Sequence, residues 1–163
     1  MALIKIISGG QTGVDRGALD AALAAGFSCG GCCSGDRSAE DGPIAQRYPL
    51  TPLSGGGSRQ RTLKNVHDSD GTAILFHEAL TGGTKLTRDM CIREKKPFVV
   101  LDDTQIVESR AVAAILRFID EHEIRVLNVA GPRAGHWEQG YRFSLSVLGA
   151  VIAATPRSAD PSG

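Results

Sequence analysis

The chain has no surplus of charge. Its 18 basic residues are matched by 18 acidic ones, so neither a nucleic acid nor an anionic membrane surface is its expected partner. No apolar run approaches the ~18 residues of a membrane span, and the N-terminus lacks the basic region and apolar core of a signal sequence. A cytoplasmic location is therefore expected. Aromatic residues are scarce, at 5 %, which leaves aliphatic strands and closely packed backbone to build the core. Cysteine is present without a metal-binding arrangement. Cys29-x-x-Cys32 is half of a zinc or iron–sulfur spacing, no second pair completes it, and the four histidines stand at no matching interval. Cys29, Cys32, Cys33 and the isolated Cys91 are expected as small, reduced side chains in apolar surroundings, and no structural metal is expected.

Glycine is abundant instead, with 20 residues in a chain of 163. That length suits one domain, expected over 1–155, with a loose tail over 156–163. The first glycines are the most informative. Leu3-Ile4-Lys5-Ile6-Ile7 reads as a buried strand, Ser8–Gly13 as a glycine-rich turn, and Val14–Ala25 as a helix closed by Gly26. Strand, glycine turn and helix N-terminus in this order make either an anion seat or an empty tight turn. The spacing Gly9-Gly10-x-x-Gly13 is neither a dinucleotide fingerprint nor a P-loop. The small face of the helix (Gly17, Ala18, Ala21, Ala22, Ala25) permits close approach to a sheet.

Strands and helices then alternate. Phe27–Cys33 reads as a strand, Asp36–Ile44 as a polar loop and Tyr48–Leu50 as a short extended piece. A helix is expected over Ser58–His67, a strand over Thr72–Phe76, a helix from Gly82 to about Lys95 and a strand over Phe98–Leu101. The apolar period of Val112, Ile115, Leu116 and Ile119 marks a helix over Glu108–His122. Arg125–Ala130 is the last strand and Gly140–Ala154 the last helix. Near-continuous apolar strands alternating with helices predict a three-layer α/β sandwich, Rossmann-like, with a mainly parallel sheet covered on both faces. Ligands of such sheets bind outside the carboxyl ends of the strands. The strands at Leu3, Thr72 and Arg125 all exit into polar glycine-bearing turns, which predicts one shared crevice.

The chemistry of the candidates follows. Gly9, Gly10, Thr12 and Gly13 suit a phosphate, and Gln11 the edge of a heterocycle. Asp15, in the first helical turn, either offsets the dipole or meets a ligand. Arg16 reads as a solvated charge. Arg37, Glu40 and Asp41 share a loop that suits either a ligand or plain turn chemistry at Asp41-Gly42-Pro43. Arg61, Thr62 and Asn65 share one side of a helix, and Arg61 suits a forked pairing with an anion. Asp68 and Asp70 suit ribose-like hydroxyls or Mg²⁺, or are simply acidic turn residues. Gly82, Gly83 and Thr84 make a second helix-start seat, with Thr87 one turn further on. Asn128 and Gly131 end a strand at the presumed crevice. His136 and Trp137 form either a stacking lid or an ordinary surface pair.

These blocks also carry a resemblance. Ser8-Gly9-Gly10-Gln11-Thr12-Gly13-Val14-Asp15-Arg16-Gly17, Ala39-Glu40-Asp41-Gly42-Pro43, Arg61-Thr62-x-x-Asn65, Asp68-Ser69-Asp70-Gly71-Thr72, Gly82-Gly83-Thr84-x-Leu86-Thr87 and Asn128-Val129-Ala130-Gly131-Pro132-Arg133 together resemble the molybdenum-cofactor carrier family. That family is a circularly permuted branch of the SLOG/lysine-decarboxylase-like Rossmannoid superfamily, and the likeness runs from about residue 4 to 155. It implies a homo-oligomer (dimer or tetramer) that binds a phosphorylated pterin, the molybdenum cofactor as cargo, or a nucleotide-derived ligand. Phosphoribohydrolases of the superfamily carry P-G-G-x-G-T-x-x-E. Here Leu80-Thr81-Gly82-Gly83-Thr84-Lys85-Leu86-Thr87 lacks the pair between the second Gly and the Thr, the Pro and the Glu. A non-catalytic carrier is thus the leading expectation and a small-molecule hydrolase the alternative.

Overall fold

In the computed structural model, which describes residues 2–157, the apolar runs become five parallel strands. They are β1 (Lys5–Ile7), β2 (Cys29–Gly30), β7 (Gly71–Phe76), β8 (Phe98–Asp102) and β9 (Val126–Ala130), in the spatial order β2-β1-β9-β7-β8. Every pairing in this sheet is parallel, and β7 is buried along its whole length. The fold is Rossmann-like, with helices α1 (Val14–Ala24), α2 (Ser58–Asp68), α3 (Gly82–Arg93), α4 (Glu108–Glu121) and α5 (Gly140–Ala154) on its two faces. No helix among the described residues is long and apolar enough to cross a membrane.

Chain direction decides which face each helix covers. The crossovers through α1 and α4 step toward the β2 edge, those through α2 and α3 toward the β8 edge. Parallel crossovers are right-handed, so the two sets lie on opposite faces. The packing agrees. Ala73, Leu75, Leu127 and Val129 join Ala18, Ile115 and Leu148 in the large core, whereas Val66, Met90 and Cys91 form a separate cluster between α2 and α3. Helix α5 packs against both α1 and α4, which explains why it is apolar on much of its surface. The small face of α1 makes its closest approach to that helix rather than to the sheet: a Cβ at Gly17 would lie 2.5 Å from the Tyr141 carbonyl oxygen.

The expected strand over Phe27–Cys33 is two strands. After β2 the chain leaves the main sheet, and β3 (Cys32–Ser34) pairs in parallel with β6 (Thr51–Leu53). Gly31 makes the turn at φ 123°, where a Cβ would sit 2.1 Å from the Ser8 carbonyl oxygen. Gly31→Ala therefore combines a forbidden backbone conformation with a backbone clash. A loss of about 2–4 kcal/mol is expected, read as a lowered urea midpoint with an unchanged slope. The polar loop over Asp36–Ile44 contains an antiparallel ribbon, β4 (Ser38–Ala39) with β5 (Gly42–Pro43). Tyr48 and Leu50 bury against Leu19, Cys33 and Ile44, and strand pairing begins only at Thr51. Of the tail expected to be loose, residues 158–163 lie outside the described residues. Arg157, within them, donates to the Ala25 carbonyl at 2.6 Å.

Candidate functional site

Because β9, the last strand, lies between β1 and β7, the carboxyl ends of these three strands meet at one edge of the sheet. A cavity of about 420 Å³ opens there, within the usual range for small-ligand sites. Four segments wall it: the β1–α1 turn, one face of α2, the β7–α3 connection with the start of α3, and the end of β9 with the loop after it. Of the residues singled out in the sequence, Gly9, Gln11, Asp15, Arg61, Asn65, Gly82, Gly83, Thr84, Thr87, Asn128 and Gly131 are brought together on its wall.

The β1–α1 turn is anion-shaped, but its seat is filled from within. Asp15, 5 % exposed, accepts from the Gln11 N–H at 3.3 Å and lies against the Gly9 backbone. The Gly10 N–H turns to Ser8 Oγ at 3.4 Å and the Thr12 N–H to Gln11 Oε1 at 2.9 Å. Gln11 Oε1 also accepts from the Glu40 N–H at 2.8 Å, so its acceptor is already occupied. Gly10, Thr12 and Gly13 do not line the cavity. Gly10 packs on Leu50 and Ile44, Gly13 on the backbone of Pro132 and Arg133, and Thr12 links the turn to the ribbon.

Asp15 has one charged partner across the cavity, Arg61 of α2, whose Nη1 stands 3.5 Å away. That approach requires glycine at position 9, since a Cβ there would fall 1.4 Å from Nη1. Burial pushes the Asp15 carboxyl from its ordinary 3.8 up to about 6, against the opposing pull of Arg61, the Gln11 N–H and Arg16. Arg16 is not a solvated charge. Its side chain is 13 % exposed, donating to the Gly10 carbonyl at 3.2 and 3.1 Å and to Asp41 at 3.0 and 3.2 Å.

The start of α3 is different. It has no side-chain cap and no acid in its first turn, and ideal Cβ positions at Gly82 and Gly83 meet nothing within 4 Å. Its first-turn N–H groups have no hydrogen-bond partner among the described residues, with the positive end of the dipole behind them. Thr84 is 7 % exposed and lines the cavity, and its hydroxyl has no hydrogen-bond partner among the described residues. The neighbouring hydroxyls are engaged: Thr87 donates to the Gly83 carbonyl and Thr62 to that of Ser58, both at 2.9 Å. Asn128, 3 % exposed, donates to Thr72 Oγ1 at 3.2 Å.

Several expected site residues hold the frame instead. Asn65 mimics a strand, accepting from the Cys32 N–H at 2.8 Å and donating to its carbonyl at 2.9 Å. Arg37 lies away from the cavity and gathers the carbonyls of Leu50, Ala45, Ile44 and Tyr48. Glu40 ties the loop after β9, accepting from Thr12 Oγ1, the Gly135 N–H and Arg133 Nε at 2.9–3.1 Å. Asp41 pairs with Arg16. Asp68 pairs with Lys64 at 3.0 Å, and Asp70 accepts from the Arg125 and Val126 N–H groups at the opposite end of β9. Asp68 and Asp70 thus form no Mg²⁺ site with each other, and no group of three His, Cys, Asp or Glu side chains among the described residues is gathered for a metal.

Sequence reasoning missed His77, Arg133 and the depth of Trp137. His77 follows β7 directly, the position where strand ends carry ligand groups. Its Nδ1 lies 2.7 Å from Asp103, which raises its pKa, and its ring stacks on Trp137 at 6.0 Å. Trp137 is no surface aromatic: it is 6 % exposed and packs on Phe143 at 5.6 Å. The four cysteines are free, and burial raises all four thiols. Cys32, Cys33 and Cys91 are buried, Cys33 in the cluster with Leu19 and Ile44 and Cys91 in that with Val66 and Met90.

Comparison with known proteins agrees with this architecture. The model of the circularly permutated YpsA SLOG family matches residues 6–152. A crystal structure described as "Putative molybdenum carrier protein", from Syntrophus aciditrophicus SB, shares 40 % sequence identity with a TM-score of 0.90. The likeness covers 93 % of this chain and 96 % of that one. No curated protein matches the chain. With the family model spanning nearly the whole chain and β9 inserted beside β1, the protein belongs to the circularly permuted YpsA branch of the SLOG family.

Proposed function

We propose that this protein binds, without transforming it, a phosphorylated small molecule: a phosphorylated pterin, with the molybdenum cofactor as cargo, or a nucleotide-derived ligand. The observation that carries the reading is the Thr84 hydroxyl, unpartnered among the described residues at the uncapped start of α3, on a side chain that lines the same cavity as Arg61. A phosphate there would receive the first-turn N–H groups of α3 and the Thr84 hydroxyl, with Arg61 as its cation. The ring of the ligand would lie toward His77 and Trp137, a stacked pair at the wall. The relative's description as a molybdenum carrier supports a carrier role.

The alternative is a hydrolase acting in the same cavity. It would need a carboxylate as acid or base, and Glu40 and Asp41 are tied elsewhere, which leaves Asp15 as the acid on the wall. One experiment addresses both. Protein is mixed anaerobically with molybdenum cofactor and, separately, with nucleoside mono- and diphosphates, and the melting temperature is followed. At ~100 times its dissociation constant a ligand adds about 2.7 kcal/mol of stability. Thr84→Val is expected to weaken the bound ligand about tenfold, by loss of one charge-assisted hydrogen bond. An unchanged affinity would remove Thr84 from the site, and release of a free base during incubation would select the hydrolase.

A further inference from the structure

The β1–α1 turn has the shape of an anion seat and already holds an anion of its own. We infer that Asp15 sets the charge selectivity of the cavity, taking up one proton for each anionic group that engages Arg61. The inference rests on the reading of the cavity as an anion site and assigns the residue that tunes it.

The geometry makes the two anions competitors. Asp15 Oδ2 and the guanidinium of Arg61 are 3.5 Å apart over Gly9. An oxyanion placed on Arg61 brings a second negative charge beside a carboxylate that is 5 % exposed. A second anion sharing the one guanidinium weakens the attraction that holds Asp15 ionised and adds repulsion, so it favours the protonated carboxyl. Asp15 is already close to that point, since burial holds its carboxyl up to about 6. The surrounding charges set the controls. Arg61 faces it from α2. Arg16, on its own helix, is held by Asp41 and the Gly10 carbonyl. His77 after β7, and Arg133 and His136 after β9, stand on the same cavity wall. Protonation of either histidine would also favour an anion at low pH, so the source of any pH dependence must be separated by substitution.

Sulfate is the appropriate probe, because it stays fully ionised throughout the range from pH 5 to 8. Its affinity is measured from pH 5 to 8 at constant ionic strength, using the fluorescence of Trp137, the single tryptophan, which lines the cavity. Uptake of one proton predicts a dissociation constant that rises toward tenfold per pH unit above about pH 6. Asp15→Asn, which keeps the shape and an acceptor for the Gln11 N–H, is expected to flatten that dependence and to bind at least about tenfold more tightly at pH 8. His77→Gln and His136→Gln are expected to retain the slope, whatever their absolute affinity. A slope that survives in Asp15→Asn, or that disappears in a histidine variant instead, would overturn the assignment. A wild-type protein with no sulfate affinity even at pH 5 would overturn the anion site itself.

Discussion

Arg61→Gln is expected to remove most of the affinity for any phosphorylated ligand, a rise in dissociation constant of about 30- to 1000-fold. Loss of a charged partner in a desolvated site costs about 2–4 kcal/mol, and each 1.4 kcal/mol is tenfold. The guanidinium suits this role because it is held loosely. Its contact with Asp15 is 3.5 Å long, and the side chain is 19 % exposed, so its donors remain available to a phosphate. Arg61→Lys is expected to recover little, since a point charge cannot reproduce the fork. Calorimetric titration of wild type and both variants with the ligand found by melting shift decides the matter. An Arg61→Gln protein that binds within threefold of wild type would place the phosphate elsewhere.

The second large effect concerns stability and has the opposite sign. Asp15→Asn is expected to stabilise the unliganded fold at pH 8 by about 2–3 kcal/mol, because each pH unit of pKa shift corresponds to 1.36 kcal/mol. The folded carboxyl lies at about 6 against an ordinary 3.8. The folded state therefore binds the proton more tightly than the unfolded chain does. The destabilisation grows as pH rises from about 4 to 6 and stays constant above that. The variant's advantage should thus appear as a melting temperature higher by roughly 5–10 °C at pH 8, and vanish as pH falls through 4. An Asp15→Asn protein that melts at or below wild type at pH 8 would show that the carboxylate is stabilising where it stands. A buried charge retained against stability is a common mark of a functional group.

Much of this site could be read from residue order. Gly82-Gly83-Thr84 announced an open helix start, and Asn128 and Gly131 announced a strand end, because glycine turns and polar strand ends are local signals. Arg37, Asp41 and Asp70 could not be separated from ligand residues in this way. Each is a charged side chain in or beside a turn, and only the folded chain shows that they meet the Tyr48 and Leu50 carbonyls, Arg16 and the Arg125 and Val126 amides, respectively. His77 was overlooked for the converse reason. A lone histidine after a strand has no motif around it, and its partners Asp103 and Trp137 are remote in sequence.

The sequence by itself determined the alternation of strands and helices, the parallel sheet and the edge at which the turns converge. Apolar period, glycine position and helix stop signals are properties of a few consecutive residues. Tertiary structure alone decided that the Phe27–Cys33 run divides at Gly31, where the Ser8 backbone leaves no room for a side chain. It alone decided which of two similar anion seats is open. The β1–α1 seat is closed by Asp15 and the α3 seat left free, because the carboxylate at the second position of α1 folds back onto its own turn while α3 has no acid in its first turn. Whether a donor is vacant depends on every group that can reach it, and those groups arrive from all parts of the chain.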